Sequence, residues 1–229
     1  MSFGSNCGVD DIVDVMRANQ LCDRFGLDVI SCGDVVAGYL ESEDAFGDAD
    51  LVRETVEKIA HREGVGGTLG IDNWTVKGLE FPAHDGRALN GQGLSFATAN
   101  RGADHMYATF YAYEYPLVSQ DQAFDPDGLG AHKAEKLVEL ENLRALEDCG
   151  VVCRFSRSYM TPDRFERLFD ADYDELLDVG GRVVELERHF NNQRGFSRAD
   201  DQLPYEIDGL EAALDTYYET RGWTDRGIV

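Results

Sequence analysis

The 229 residues include 44 acidic and 21 basic side chains, giving a formal net charge of −23, and 43% of them are hydrophobic. A chain of this length can bury a core, and its apolar content argues against disorder. The charge argues against nucleic acid and membrane as partners, because both nucleic acid and an anionic bilayer need a basic surface.

Only Lys58, Lys77, Lys133 and Lys136 are lysines, which leaves seventeen arginines among the 21 basic residues. A very acidic, lysine-poor chain suits concentrated salt, where the Debye length falls to about 3 Å near 1 M and surface carboxylates hardly repel. A halophilic setting is therefore expected. The N-terminus MSFGSNCGVDD has neither a basic n-region nor an apolar h-region, and no run reaches the roughly 18 apolar residues of a membrane helix. Five cysteines at irregular spacing fit reduced thiols and a cytoplasmic location.

In chain order, residues 10 to 25 read as an amphipathic helix with Ile12, Val15, Met16, Cys22 and Phe25 on one face, Asp10 as N-cap and Gly26 as its stop. A second helix is expected over about 29 to 41 and a third from Asp48 to Glu63, stopped by Gly64. The glycine-rich run 64 to 73 is the best boundary in the chain. Residues 74 to 82 read as a short extended segment. The following HDGRALNGQGLSFATANRGADH holds four glycines, which implies tight turns or a backbone that approaches something closely. Further helices are expected at 131 to 147, with Leu137, Leu140, Leu143 and Leu146 on one face, and after Thr161-Pro162. Two more cover 174 to 190 and 207 to 221. The fold class is mainly α, multihelical, in two helical subdomains at 1–73 and 74–229.

Two short segments resemble each other: Asp23-Arg24-Phe25-Gly26-Leu27-Asp28 and Asp148-Cys149-Gly150-Val151-Val152-Cys153. Each spans a helix-to-loop corner, where carboxylates and free backbone groups can converge on a polar ligand. Spacing alone is equally met by two ordinary helix ends with solvated acids. Cys7, Cys22, Cys32 and Cys149 lack metal-ligand spacing and read as packing thiols. His61, His84, His132 and His189 read as isolated, and the aromatic run from Tyr107 to Tyr115 as packing.

Five separated blocks, SNCGVDDIVDVMRANQLCDRFGLDVISCGD, VEKIAHREGVG, VKGLEFPAHDGRALNGQGLSFATANRGADH, LEDCGVVCRF and ELERHFNNQRGFSRADDQLP, resemble the aldehyde:ferredoxin oxidoreductase family in the family's own order. The resemblance covers only the family's two C-terminal helical domains. It implies a tungsten (or molybdenum) bis-pterin centre, a [4Fe–4S] cluster, and oxidation of an aldehyde to a carboxylic acid with electrons passing to ferredoxin. By that resemblance Asp23, Leu27, Asp28, Asp148 and Arg154 contact the pterins. Cys153 is one cluster ligand, and His105 moves a proton near the metal.

The departures from the family pattern carry as much weight. The family's three other cluster cysteines, its acidic residue near the metal and its pterin-supporting base domain have no counterpart here. Val151 and Val152 stand where the second motif has glycine and leucine. Arg17-Ala18-Asn19-Gln20 replaces an E-x-x-H iron site, and the stretch between HREGVG and VKGLE is short. The expectation is a C-terminal part that is inactive without a separately encoded N-terminal half; the alternative is a non-catalytic helical remnant or partner-binding module.

Overall fold

The computed structural model describes residues 2–67, 74–115, 124–156 and 159–229, so the glycine-rich boundary lies outside the described residues from 68 to 73. The chain forms two compact units, Met1–Ala83 and His84–Val229. Among the described residues no helix is long and apolar enough to cross a membrane.

The first unit contains α1 (Ile12–Phe25), α2 (Val29–Ser42), α3 (Ala49–His61) and a hairpin of β1 (Thr75–Val76) and β2 (Leu79–Glu80). An aspartate starts each helix. The carboxylates of Asp11, Asp28 and Asp48 accept the N–H groups of Val13, Ser31 and Leu51 at 2.8, 2.8 and 2.9 Å, satisfying donors that the helices cannot. The first cap is Asp11 rather than Asp10. The buried face of α1 also differs from the sequence reading. Ala18 and Cys22 are buried with Val15 and Leu21 against them, while Ile12 and Met16 are 66% and 64% exposed. Counting apolar residues favoured the larger side chains, but small Ala18 is what allows α1 to seat closely. Helix α3 ends at Arg62, which takes the left-handed conformation before Gly64 is reached. In the hairpin, Lys77 and Gly78 both have positive φ, the turn that matches strand twist.

The second unit is built on α6 (Ala131–Cys149), against which α8 (Tyr173–Gln193) and α9 (Leu210–Arg221) pack; α7 (Pro162–Phe169) packs on α8. Leu137, Leu140 and Leu146 of the expected stripe are buried. Two helices were not expected: the short α5 (Tyr111–Glu114) and α4 (Asn90–Thr98), all nine of whose residues are buried. The glycines of α4 mark close approach rather than turns. A β-carbon on Gly91 would strike the ring of Phe110, and one on Gly93 would strike Ile207. With no exposed face, α4 shows none of the amphipathic periodicity by which a helix is recognised.

Charge is buried in this unit in matched pairs. Lys133 Nζ lies 2.7 Å from Glu114, Arg221 2.6 Å from Glu141, and Arg188 2.8 Å from Asp201, each partner almost wholly enclosed. Removing one member strands the other in a medium that solvates it poorly. Lys133→Met should therefore cost about 3–5 kcal/mol in urea unfolding. Arg167→Met, which breaks an exposed pair with Asp163, should leave the midpoint where it was.

Candidate functional site

The two aspartate-led corners lie in different units and share the same backbone construction. At the first, α1 ends at Phe25, Gly26 turns left-handed with φ +69°, and the Leu27 N–H closes back onto the Cys22 carbonyl at 2.9 Å. At the second, α6 ends at Cys149, Val151 turns left-handed with φ +54°, and the Val152 N–H closes back onto the Glu147 carbonyl at 2.9 Å. Both are the six-to-one closure that ends many helices. Position by position, Asp23 corresponds to Asp148, Gly26 to Val151, Leu27 to Val152 and Asp28 to Cys153. Leu27 and Val152 each pack inward on their own unit's core. Asp28 caps α2, and the Cys153 carbonyl accepts the N–H and hydroxyl of Ser156 at 2.9 and 2.7 Å, starting a 3-10 turn.

The leading aspartates differ in their engagement. Asp23 is exposed and accepts a hydrogen bond from Asn19 at 3.2 Å. Asp148 is exposed too, but the guanidinium of Arg154 holds it at 2.7 Å. Arg154 also reaches buried Glu147 at 3.0 Å, Glu147 binds Arg144 at 2.6 Å, and Arg144 Nε donates to the Thr109 hydroxyl at 3.2 Å. The Thr109 N–H then donates to the His105 carbonyl at 3.1 Å. One hydrogen-bonded relay thus connects three of the site residues expected in this unit: Asp148, Arg154 and His105. Thr109 and Val151, β-branched residues near its two ends, both hold positive φ, a costly conformation for such side chains. The Cys153 thiol is exposed at the corner, as is that of Cys149, whereas Cys7, Cys22 and Cys32 are buried.

His105 does not stand alone. Its ring stacks on His84 with centroids 4.9 Å apart and planes 19° from parallel, and Tyr111 lies 4.2 Å from His84. Burial lowers the proton affinity of both imidazoles, and the charge of His105 lowers that of His84 further. Reading His84 as isolated was thus incorrect, and so was leaving Arg144 and Glu147 unremarked. A buried charged pair three residues apart on the leucine-faced helix was the available signal for these two. His84 gave none, because its partner is 21 residues away. In the first unit, Asp34 was also missed. Burial raises its carboxyl to about 6, against the hydrogen bond from Asn6 at 2.8 Å.

The family model for aldehyde ferredoxin oxidoreductase, domains 2 and 3, matches residues 1–71 and 73–229. The chain belongs to the aldehyde ferredoxin oxidoreductase family. It is 30% identical to a tungsten-containing aldehyde ferredoxin oxidoreductase of Pyrococcus furiosus and 29% identical to one of Thermococcus kodakarensis, each over 277 aligned positions. All of this chain is covered in both cases but only 46% of the relative, so the chain spans about half the length of the curated relatives it matches. A solved structure described as the active site complex BamBC of benzoyl coenzyme A reductase with 1,5-dienoyl-CoA is similar with a TM-score of 0.69. That likeness covers 96% of this chain and 45% of the other at 18% identity, and it speaks for a shared fold.

Two outcomes follow from the corners. Replacing Val151 with glycine removes the left-handed strain and should raise stability by about 1 kcal/mol despite glycine's looser unfolded chain, whereas Gly26→Val should lower it by a similar amount; thermal unfolding measures both. For Asp34, the folded chain keeps a proton up to about pH 6 that the unfolded chain releases near pH 4. Folding stability should therefore fall as pH rises through that window, and Asp34→Asn should reduce the fall. Parallel urea-midpoint profiles for wild type and variant would show that Asp34 titrates normally.

Proposed function

We propose that this chain supplies the pterin-facing helical part of an enzyme that oxidises an aldehyde to a carboxylic acid, working with a separately encoded N-terminal half. The observation that supports it is the pair of corners, which share a left-handed turn and a six-to-one hydrogen bond, set in a chain that matches the family's domains 2 and 3. In such an enzyme, tungsten (or molybdenum) held by two pterin dithiolenes supplies the two-electron oxidation, and a [4Fe–4S] cluster passes the electrons to ferredoxin.

The residues present fit the pterin. Asp23 and Asp148 present exposed carboxylates, which are acceptors for ring N–H donors, and Arg154 fixes the second of them from behind. Leu27 and Asp28 complete the first corner. His105 is kept neutral near pH 7 by burial, so it can accept the proton released as an aldehyde gains an oxygen from water. For the cluster the fit is partial. Cys153 offers one exposed thiol, and no group of three or more metal-binding side chains occurs among the described residues. One thiolate does not hold a cubane, and that favours a second reading in which the chain is a helical module that binds a partner or a pterin without turnover.

Metal analysis separates the two. Purified anaerobically in concentrated KCl, as its acidic surface recommends, the chain alone should carry neither iron nor tungsten at stoichiometry. Co-expression with a family base domain bearing C-x-x-C-x-x-x-C should bring about four irons per pair, and Cys153→Ser should remove them. Iron that ignores the Cys153→Ser change, or a pair that gains none, rejects the enzyme reading.

A further inference from the structure

The His84–His105 stack has a property that neither ring has alone. Two imidazoles at 4.9 Å, closed over by Tyr111, leave little room for water between them. The Nδ1 atom of His84 is buried and has no hydrogen-bond partner among the described residues. Such an atom is costly unless something polar meets it. The nearby carboxylates are already committed. Asp104, beside His105, accepts the Met106 N–H at 2.7 Å and is paired with Arg101. Asp85, beside His84, is gripped by Arg87 at 2.7 to 3.1 Å. Neither can be given over to offsetting a second positive charge on the rings. Two unit charges this close repel strongly even in a medium with an effective dielectric constant of about 20.

We infer that His84 and His105 form a dyad that accepts at most one added proton, taken by His105, with His84 as the positioning residue held uncharged against it. The first proton goes to His105, which has Asp104 beside it. The second, destined for His84, meets the charge already there. At neutral pH His105 is uncharged and ready to accept, and its stacked neighbour does not compete for the same proton. The unpartnered Nδ1 marks the side from which a polar ligand would engage His84. This deepens the reading above, where His105 is the proton-handling group. It requires no cofactor, so it can fail or stand independently of that reading.

The test is a histidine titration by NMR on the full chain, whose five histidines give a countable set of ring signals. His61, His132 and His189 serve as internal references. In wild type, His84 and His105 should titrate below the ordinary histidine range, with His84 the lower. His105→Phe should raise the His84 midpoint by about half a pH unit or more, a threefold gain in proton affinity. His84→Phe should leave that of His105 nearly unchanged, because His105 takes up its proton while His84 is still uncharged. That asymmetry is the signature of charge coupling, which a purely packing role would not produce. Should a phenylalanine variant fail to fold, as judged by the three reference signals, His84→Gln and His105→Gln serve in its place. A His84 midpoint that does not rise when the His105 ring is removed overturns the dyad.

Discussion

The carboxylate of Glu114 organises the second unit. It accepts the N–H groups of Gly91 and Gln92 at 2.7 and 2.9 Å and the ammonium of Lys133 at 2.7 Å. Helix α4 has no side-chain cap of its own, so a charge supplied from α5 meets the positive end of its dipole. Through Lys133 the same carboxylate anchors α6. With α4 fixed, the strand of chain that leaves it is held too. The Asn100 carbonyl accepts from Asn191 at 2.8 Å, and the Asn100 amide reaches Tyr107 at 2.9 Å and the Val184 carbonyl at 3.2 Å. That segment delivers His105. One buried acid therefore links the packing of three helices to the placement of His105.

What the sequence made legible depended on where each signal resides. Local chemistry was readable: Pro162 at a helix start, Gly26 at a helix end, and the leucine stripe of α6 all specify elements through neighbours in the chain. Helix α4 was not, because full burial erases the polar face and its glycines point to turns when read without Phe110 and Ile207. The face of α1 was misjudged for a related reason: apolar size does not reveal which small residue permits contact. At the site, the likeness of the two aspartate-led segments was visible in their letters, and Arg144 and Glu147 carried a signal in their three-residue spacing that went unremarked. His84 carried none, because His105 is brought to it only by folding.

The second corner shows how a motif can survive a change in its letters. The first corner has Gly26 where the second has Val151, yet the backbone keeps the left-handed turn and the six-to-one hydrogen bond. The side chain is 92% exposed, so the strain is not relieved by burial. What maintains the turn is its surroundings: Val152 packed inward and Arg154 tied to Glu147, Asp148 and the Arg144 carbonyl. A conformation normally supplied by residue type is here imposed by the groups flanking it.

Thiol exposure has a practical corollary. Of the five cysteines, Cys149 and Cys153 face solvent, and both bracket the second corner, while the remaining three are sealed in the core of the first unit. A maleimide dye added to the folded protein will settle on that corner alone, providing a fluorescent reporter beside Asp148 without any engineered handle.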